Sequence, residues 1–339
     1  MPLLKASLEV GWHNGQKLKE MSSLSSCSSR MDIIDLKLIR ELFQGPPMSP
    51  LRRGRRESFR KMGRKLGVAD EALRERLKRM IASGLIAGFP LQLNVDLLKC
   101  NIGILSIDIE PGAQKKEVVE KISLVDGVFI IQTHVGTLAG VIFYYTDQKS
   151  LQNKIALITK IANTRNALFT RFLFPKSTIS LSKTDLKIVS ILGQNLDRPY
   201  NEIAKALQIS VRTVRRRMTR MIDGAALFTL PSINASKIRG AVMADLLVEY
   251  EDTKSRQGVD SVLVKLLDPY YFFAGLWESY SVYSLIIHGI PATKEILESV
   301  RKIKGVKSVR IELVEERYEF YERMNDLTPV GQLATPIAR

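Results

Sequence analysis

The sequence predicts an α+β fold in which a small helical unit and a β-α-β-β-α-β unit alternate twice along one chain. Three observations predict it. Segments with apolar residues at helical spacing (32–83, then 182–222) are each followed by short runs of strand character separated by turn residues. Short matches recur between the halves: Asp35-Leu-Lys-Leu-Ile with Asp185-Leu-Lys-Ile-Val, Leu66-Gly-Val with Leu207-Gln-Ile, and Arg79-Met-Ile with Arg220-Met-Ile. A repeat this long reads as a duplication. Finally, 339 residues with 45% apolar and 25% charged content can bury several cores without staples.

The expected segments are a leader at 1–30, a helical unit at 31–94, a sheet unit at 95–176, a second helical unit at 177–234, a second sheet unit at 235–317 and a tail at 318–339. The leader has no period and ends in a serine-rich tract that cannot form a core. Either Met31 is the true start or the leader is a disordered tail; it has no secretory cleavage site. Asp32 caps a helix to Phe43 with Ile34, Leu38, Leu42 and Phe43 on its apolar side, and the GPPMSP run at 45–50 breaks it. Helices follow at 59–66 and 70–83, the latter with Leu73, Leu77, Met80 and Ile81 inward, then Gly84 and a short strand or wing at 85–93. The first sheet unit reads as strand 102–109, helix 114–123, strands 128–134 and 138–145, helix 151–161 and strand 167–174. The second helical unit opens with Ser182 and Asp185 capping a helix through Leu192, continues with helices at 201–207 and 210–222, and closes with a wing at 226–233. The second sheet unit repeats the first at 242–249, 259–267, 271–276, 282–287, 293–303 and 308–314, and Tyr318 to Met324 extends a final helix. Helices cover one face of such a sheet. The other face needs a partner, and a second such sheet is the economical one.

The formal charge of +16 favours a polyanionic partner, nucleic acid ahead of membrane. Residues 51–65 hold eight basic residues against Glu57, and 182–234 hold nine against four acids, whereas 240–317 hold ten against twelve. No apolar run reaches the ~20 residues that span a bilayer. Cys27 and Cys100 lack metal-ligand spacing, which implies a reducing compartment and no structural zinc. None of His13, His134 and His288 belongs to a metal-spaced group.

The most informative stretch is 201–221. Ile203, Ala204 and Leu207 make one apolar face, Gln208-Ile209 the turn, and Ser210 the N-cap of a helix whose Val214, Met218 and Met221 face inward. Its other face carries Arg212, Thr213, Arg215, Arg216, Arg217, Thr219 and Arg220. An arginine-covered helix after a tight turn suits the DNA major groove, where arginine grips guanine O6 and N7.

The run LSKTDLKIVSILGQNLDRPYNEIAKALQISVRTVRRRMTRMIDGAAL resembles the helix-turn-helix of the Lrp/AsnC family of transcription regulators, with Asp185, Ile191-Leu192, Glu202-Ile203-Ala204, Ser210, Val214, Arg217 and Gly224 at the pattern's positions. The resemblance implies two winged helix-turn-helix domains alternating with two ferredoxin-like βαββαβ domains. It also implies a cytoplasmic, non-enzymatic regulator that binds double-stranded DNA, assembles as a homo-oligomer (a homodimer here) and takes a small-molecule effector, with no cofactor, metal or membrane. DNA contacts fall on Ser210, Arg212, Thr213, Arg215, Arg216, Thr219 and Arg220, while Arg217 either packs against the fold or reaches a phosphate. In the first unit Asp70, Glu71 and Glu75 occupy the places of Val211, Arg212 and Arg216, so this unit reads bases poorly. Its Arg52, Arg53, Arg55 and Arg56 clamp backbone or reach a minor groove. The family's effector element maps onto Gly136 and onto Trp277, Glu278 and Tyr280, though neither turn carries the family's aspartate. The competing reading is a siroheme decarboxylase-like tetrapyrrole enzyme on the same architecture.

Overall fold

The computed structural model describes residues 31–42, 58–110, 112–173, 176–194, 199–229, 231–252, 254–278 and 280–320. The leader, Phe43 and the tail from Tyr321 lie outside them, as do Arg52, Arg53, Arg55 and Arg56.

The first head is three helices. Helix α1 (Ile33–Leu42) starts at Asp32, whose Oδ1 accepts from the amides of Ile34 and Asp35 at 2.8 and 2.9 Å. Helix α2 (Phe59–Leu66) is capped by Ser58 and turns through Gly67 at φ +68° into α3 (Asp70–Ala82). Leu38, Leu42, Phe59, Met62, Leu73 and Leu77 fill its core. Strands β1 (Ile86–Gly88) and β2 (Leu91–Leu93) follow.

The first half-sheet runs β3 (Asn101–Asp108), α4 (Ala113–Ser123), β4 (Val128–His134), β5 (Leu138–Tyr145), α5 (Gln148–Ala162) and β6 (Ala167–Arg171). The second head is α6 (Lys183–Gln194), α7 (Tyr200–Ala206) and α8 (Val211–Asp223), then β7 (Leu227–Thr229) and β8 (Ser232–Ile233). The second half-sheet runs β9 (Val242–Tyr250), α9 (Arg256–Leu266), β10 (Tyr271–Leu276), β11 (Tyr280–Ile287), α10 (Ile290–Arg301) and β12 (Val306–Glu319). The fold is thus α+β.

All these long strands form one antiparallel sheet in the order β10-β11-β9-β12-β4-β5-β3-β6. Strand β12 makes the join. Its residues from Val306 to Leu313 pair with β9, and those from Val314 to Glu319 pair with β4. Tyr318 and Glu319 are therefore strand, not the start of a helix. The ladder with β4 satisfies their backbone groups, and a register shift between Val314 and Glu316 hides the alternation that would have signalled it. The two edges also meet: Phe172 bridges Trp277, the Leu173 amide donates to Leu276 O at 2.9 Å, and the Glu278 amide donates to Arg171 O at 2.8 Å. The half-sheets thus pair within one chain, and their outer strands β10 and β6 touch at one end. Ile102, Phe129, Ile130, Tyr144, Phe172, Leu247, Trp277 and Tyr280 pack between them.

The expected wings do not fold back on their own heads. β1 pairs with β8 and β2 with β7, so each ribbon takes one strand from each half of the chain. Core packing explains the exchange. Leu85, Ile86 and Ile233 bury in the first head's core, while Leu93 and Leu227 bury in the second's. The first head also docks on the second half-sheet, where Arg40 pairs with Asp268 at 2.9 Å and lies 4.5 Å over the Tyr271 ring.

Candidate nucleic-acid interface

The interface is assembled by the capping of α8. Ser210 Oγ accepts from the Thr213 amide at 3.0 Å and lies 2.9 Å from Thr213 Oγ1. Both residues fix the start of the helix. Gln208, at φ +53°, makes the turn that Gly67 makes in the first head.

The polar side of α8 then divides into two stripes. Thr213, Arg217 and Arg220 lie at i, i+4 and i+7, and the two arginines of this stripe reach the second head's own first helix. Arg217 Nη1 donates to Asp185 Oδ1 and to Ser182 Oγ, both at 3.0 Å, and Arg220 Nη2 donates to Asp185 Oδ2. Asp185 is fully buried. Ser182 and Asp185 form a reciprocal capping box, the Ser182 amide donating to Asp185 Oδ2 at 2.8 Å and the Asp185 amide to Ser182 Oγ at 3.3 Å. Burial raises the Asp185 carboxyl. The Ser182 hydrogen bonds, the Arg217 hydrogen bond and the charge of Arg220 outweigh it and hold the group below the ordinary carboxylate range. Arg217 and Arg220 are thus both paired with the buried Asp185, while their side chains remain 27% and 46% exposed.

The second stripe is Arg212, Arg215, Arg216 and Thr219. The three arginines are exposed and Thr219 is half-buried. No ion pair ties these arginines among the described residues. The spacing i, i+3, i+4, i+7 aims the whole stripe one way.

The first head keeps the frame and changes the stripe. Asp35, 3% exposed, takes Arg76 at 2.8 Å and Arg79 at 3.1 Å, at the positions matching Arg217 and Arg220. The matching stripe is Glu71, Arg74, Glu75 and Lys78, in which Arg74 is half-buried and the exposed Lys78 pairs with Glu75 at 2.6 Å. Arg74 lies 4.7 Å over the Phe59 ring with its Nε 3.9 Å from Glu71 Oε2.

The residues expected near an effector do not form one open site. Trp277 and Tyr280 are 6% and 3% exposed and belong to the core between the half-sheets. Burial pushes the Tyr280 hydroxyl up to about 12, against the hydrogen bond with Ser106 and the charge of Arg310. Glu278 pairs with Arg171 at 3.1 Å. Gly136 lies on the β4–β5 turn with its carbonyl accepting from Lys115 Nζ at 2.9 Å. Sequence reading missed Lys115, which also donates to His134 O at 2.7 Å and to Glu315 Oε2 at 2.6 Å. It also missed a polar group between the half-sheets. There Asp245 takes the Gln132 amide, Ser284 Oγ at 2.9 Å and His134 Nε2 at 3.2 Å, and Arg317 reaches Gln132 Oε1 at 2.8 Å. His134 is buried, with Nε2 facing Asp245 and Nδ1 without a hydrogen-bond partner. His288 Nδ1 lies 3.1 Å from Gly240 O. Among the described residues no cluster could hold a metal ion, and no helix is long and apolar enough to cross a membrane.

Residues 181–222 match the AsnC-type helix-turn-helix domain. The chain is 32% identical over 99 residues to the HTH-type transcriptional regulator Ptr1 of Methanocaldococcus jannaschii, covering 29% of this chain and 60% of that one. It is 26% identical over 140 residues to the HTH-type transcriptional regulator LysM of Sulfurisphaera tokodaii, covering 40% of this chain and 94% of that one. The match thus spans about three fifths of the length of Ptr1 and nearly all of LysM. Among solved structures, the siroheme decarboxylase NirDL aligns with a TM-score of 0.49 at 16% identity, covering 89% of this chain and 99% of that one.

Proposed function

We propose that this chain, an Lrp/AsnC-type protein by its helix-turn-helix domain and its relatives, is a sequence-specific regulator of transcription that binds duplex DNA through α8. The observation that carries this is the division of α8. Arg217 and Arg220 are spent on Asp185, and that lock presents Arg212, Arg215 and Arg216 outward as one stripe. Such a stripe on a second, capped helix is what a major groove accepts, and guanine edges accept from arginine bidentately. Thr219 sits at the end of the stripe; Ser210 and Thr213 place its start.

The repeated order of elements supports an internal duplication, two winged helix-turn-helix units alternating with two ferredoxin-like units in one chain. One chain is then a pseudo-dimer, and a homodimer of chains presents four heads. The protein is cytoplasmic and non-enzymatic in this reading, with no cofactor. A small-molecule effector, where one acts, contacts the turns at Gly136 and Glu278. The tetrapyrrole-enzyme alternative has less support here, because residues 181–222 match an AsnC-type helix-turn-helix domain and the relatives Ptr1 and LysM are named transcriptional regulators.

The test is binding of the full chain to a duplex across a salt series. The expected result is a linear fall of log K with log salt, and a loss of about tenfold or more in the R212A/R215A/R216A variant. Equal binding by both proteins would remove α8 as the interface. An iron-porphyrin absorbance titration showing stoichiometric binding would favour the enzyme.

A further inference from the structure

The two heads share a frame, and their charge is distributed in opposite ways. The β1–β8 and β2–β7 ribbons tie them together. Asp35 and Asp185 anchor matching arginines. Where α8 exposes three arginines, α3 exposes Glu71 and Glu75, keeps Arg74 on the Phe59 ring and pairs its one exposed lysine of that stripe, Lys78, with Glu75 at 2.6 Å. The positive charge of the first head lies one helix earlier. Arg60 and Arg64 on α2 are exposed, one turn apart, and carry no ion pair among the described residues. The matching α7 positions are Asn201 and Lys205. In a helix-turn-helix the second helix enters the groove while the first crosses the backbone.

We infer that the protein recognises an asymmetric duplex: a base-specific half-site under α8, and a sequence-indifferent flank whose phosphates are held by Arg60 and Arg64 of the first head. This rests on the duplex-binding reading above. Carboxylates on α3 face a negative groove and are repelled there, while α2 supplies contacts that carry no sequence information. The ribbons fix the flank at one distance and on one side of the specific half-site.

The experiment uses the full chain. A motif is enriched from a randomised duplex pool, and flanks are then randomised or shortened on each side in turn. The expected motif is non-palindromic, with one block of sequence information. Randomising either flank leaves affinity unchanged. Shortening the flank on one side lowers affinity about tenfold or more, and shortening the other does not. R60A/R64A keeps the motif, binds more weakly, and lowers the salt slope by about two. A palindromic motif, a second block of sequence information, or a salt slope in R60A/R64A equal to wild type overturns the inference and leaves duplex binding by α8 standing. Failure of the wild-type chain to bind any duplex removes both. The flank series on wild-type protein needs no variant to fold.

Discussion

Asp35 in the first head and Asp185 in the second do the same work on helices of different outward charge. Each is buried at the start of its head's first helix and grips two arginines of the third. The frame residues of that third helix repeat at a constant spacing, Arg76 and Arg79 matching Arg217 and Arg220. The outward residues do not repeat: Glu71 and Glu75 stand where Arg212 and Arg216 stand. One helix can therefore hold its place by one stripe and change its partner by the other. The heads also differ in how they are held. The first is fastened to the second half-sheet through Arg40, Lys37 and Asp268, while in the second head Ser190 stands where the first has Arg40.

The largest expected effect breaks the shared frame. Asp185→Ala leaves Arg217 and Arg220 without their buried partner, and chemical denaturation should show a loss of about 2–4 kcal/mol, reduced from the fully buried case by the partial exposure of both arginines. Asp35→Ala should cost about the same. A large cost in one head and none in the other would end the claim that the frames are equivalent. The same carboxylate predicts a pH dependence. A depressed carboxyl contributes stability above the ordinary value of about 3.9, and that contribution is lost as pH falls below it toward the folded-state value. Asp185→Asn should therefore flatten the acid limb of an unfolding profile.

Smaller effects sharpen the comparison at the turn. Gln208 holds a left-handed backbone that Gly67 adopts freely in the first head. Gln208→Gly should stabilise by about 0.5–1 kcal/mol, and Gly67→Gln should destabilise by about 1 kcal/mol, both read from melting of the full chain. At the exposed Arg171–Glu278 pair, Glu278→Ala should change stability by less than about 1 kcal/mol, since solvent screens such pairs.

Most of this was legible in the sequence wherever the signal was local. Apolar spacing gave the helices, the Ser182 and Ser210 caps gave two of the starts, and the repeat of Asp35 at Asp185 gave the second half once the first was read. What escaped depends on partners far away in the chain. Nothing near 85–93 says that its strands pair with 227–233. The continuation of β12 through Glu319 is hidden because its partner changes from β9 to β4 partway along. On α8, sequence shows one arginine-rich face. Only the position of Asp185 reveals that two of its arginines are already taken. The Asp245 group escaped for the same reason, since Gln132, His134, Ser284 and Arg317 come from three other strands.

The central claim is that the outward stripe of α8 reads bases while the inward stripe holds the helix. The direct measurement is enrichment of duplex sequences from a random pool by the wild-type chain and by R215A/R216A, with melting temperatures recorded for both. The account predicts a motif for wild type, loss of that motif in the variant with a weaker salt-dependent affinity remaining, and unchanged melting, because neither arginine touches Asp185. The same motif enriched by both proteins, or no motif from either, would contradict it.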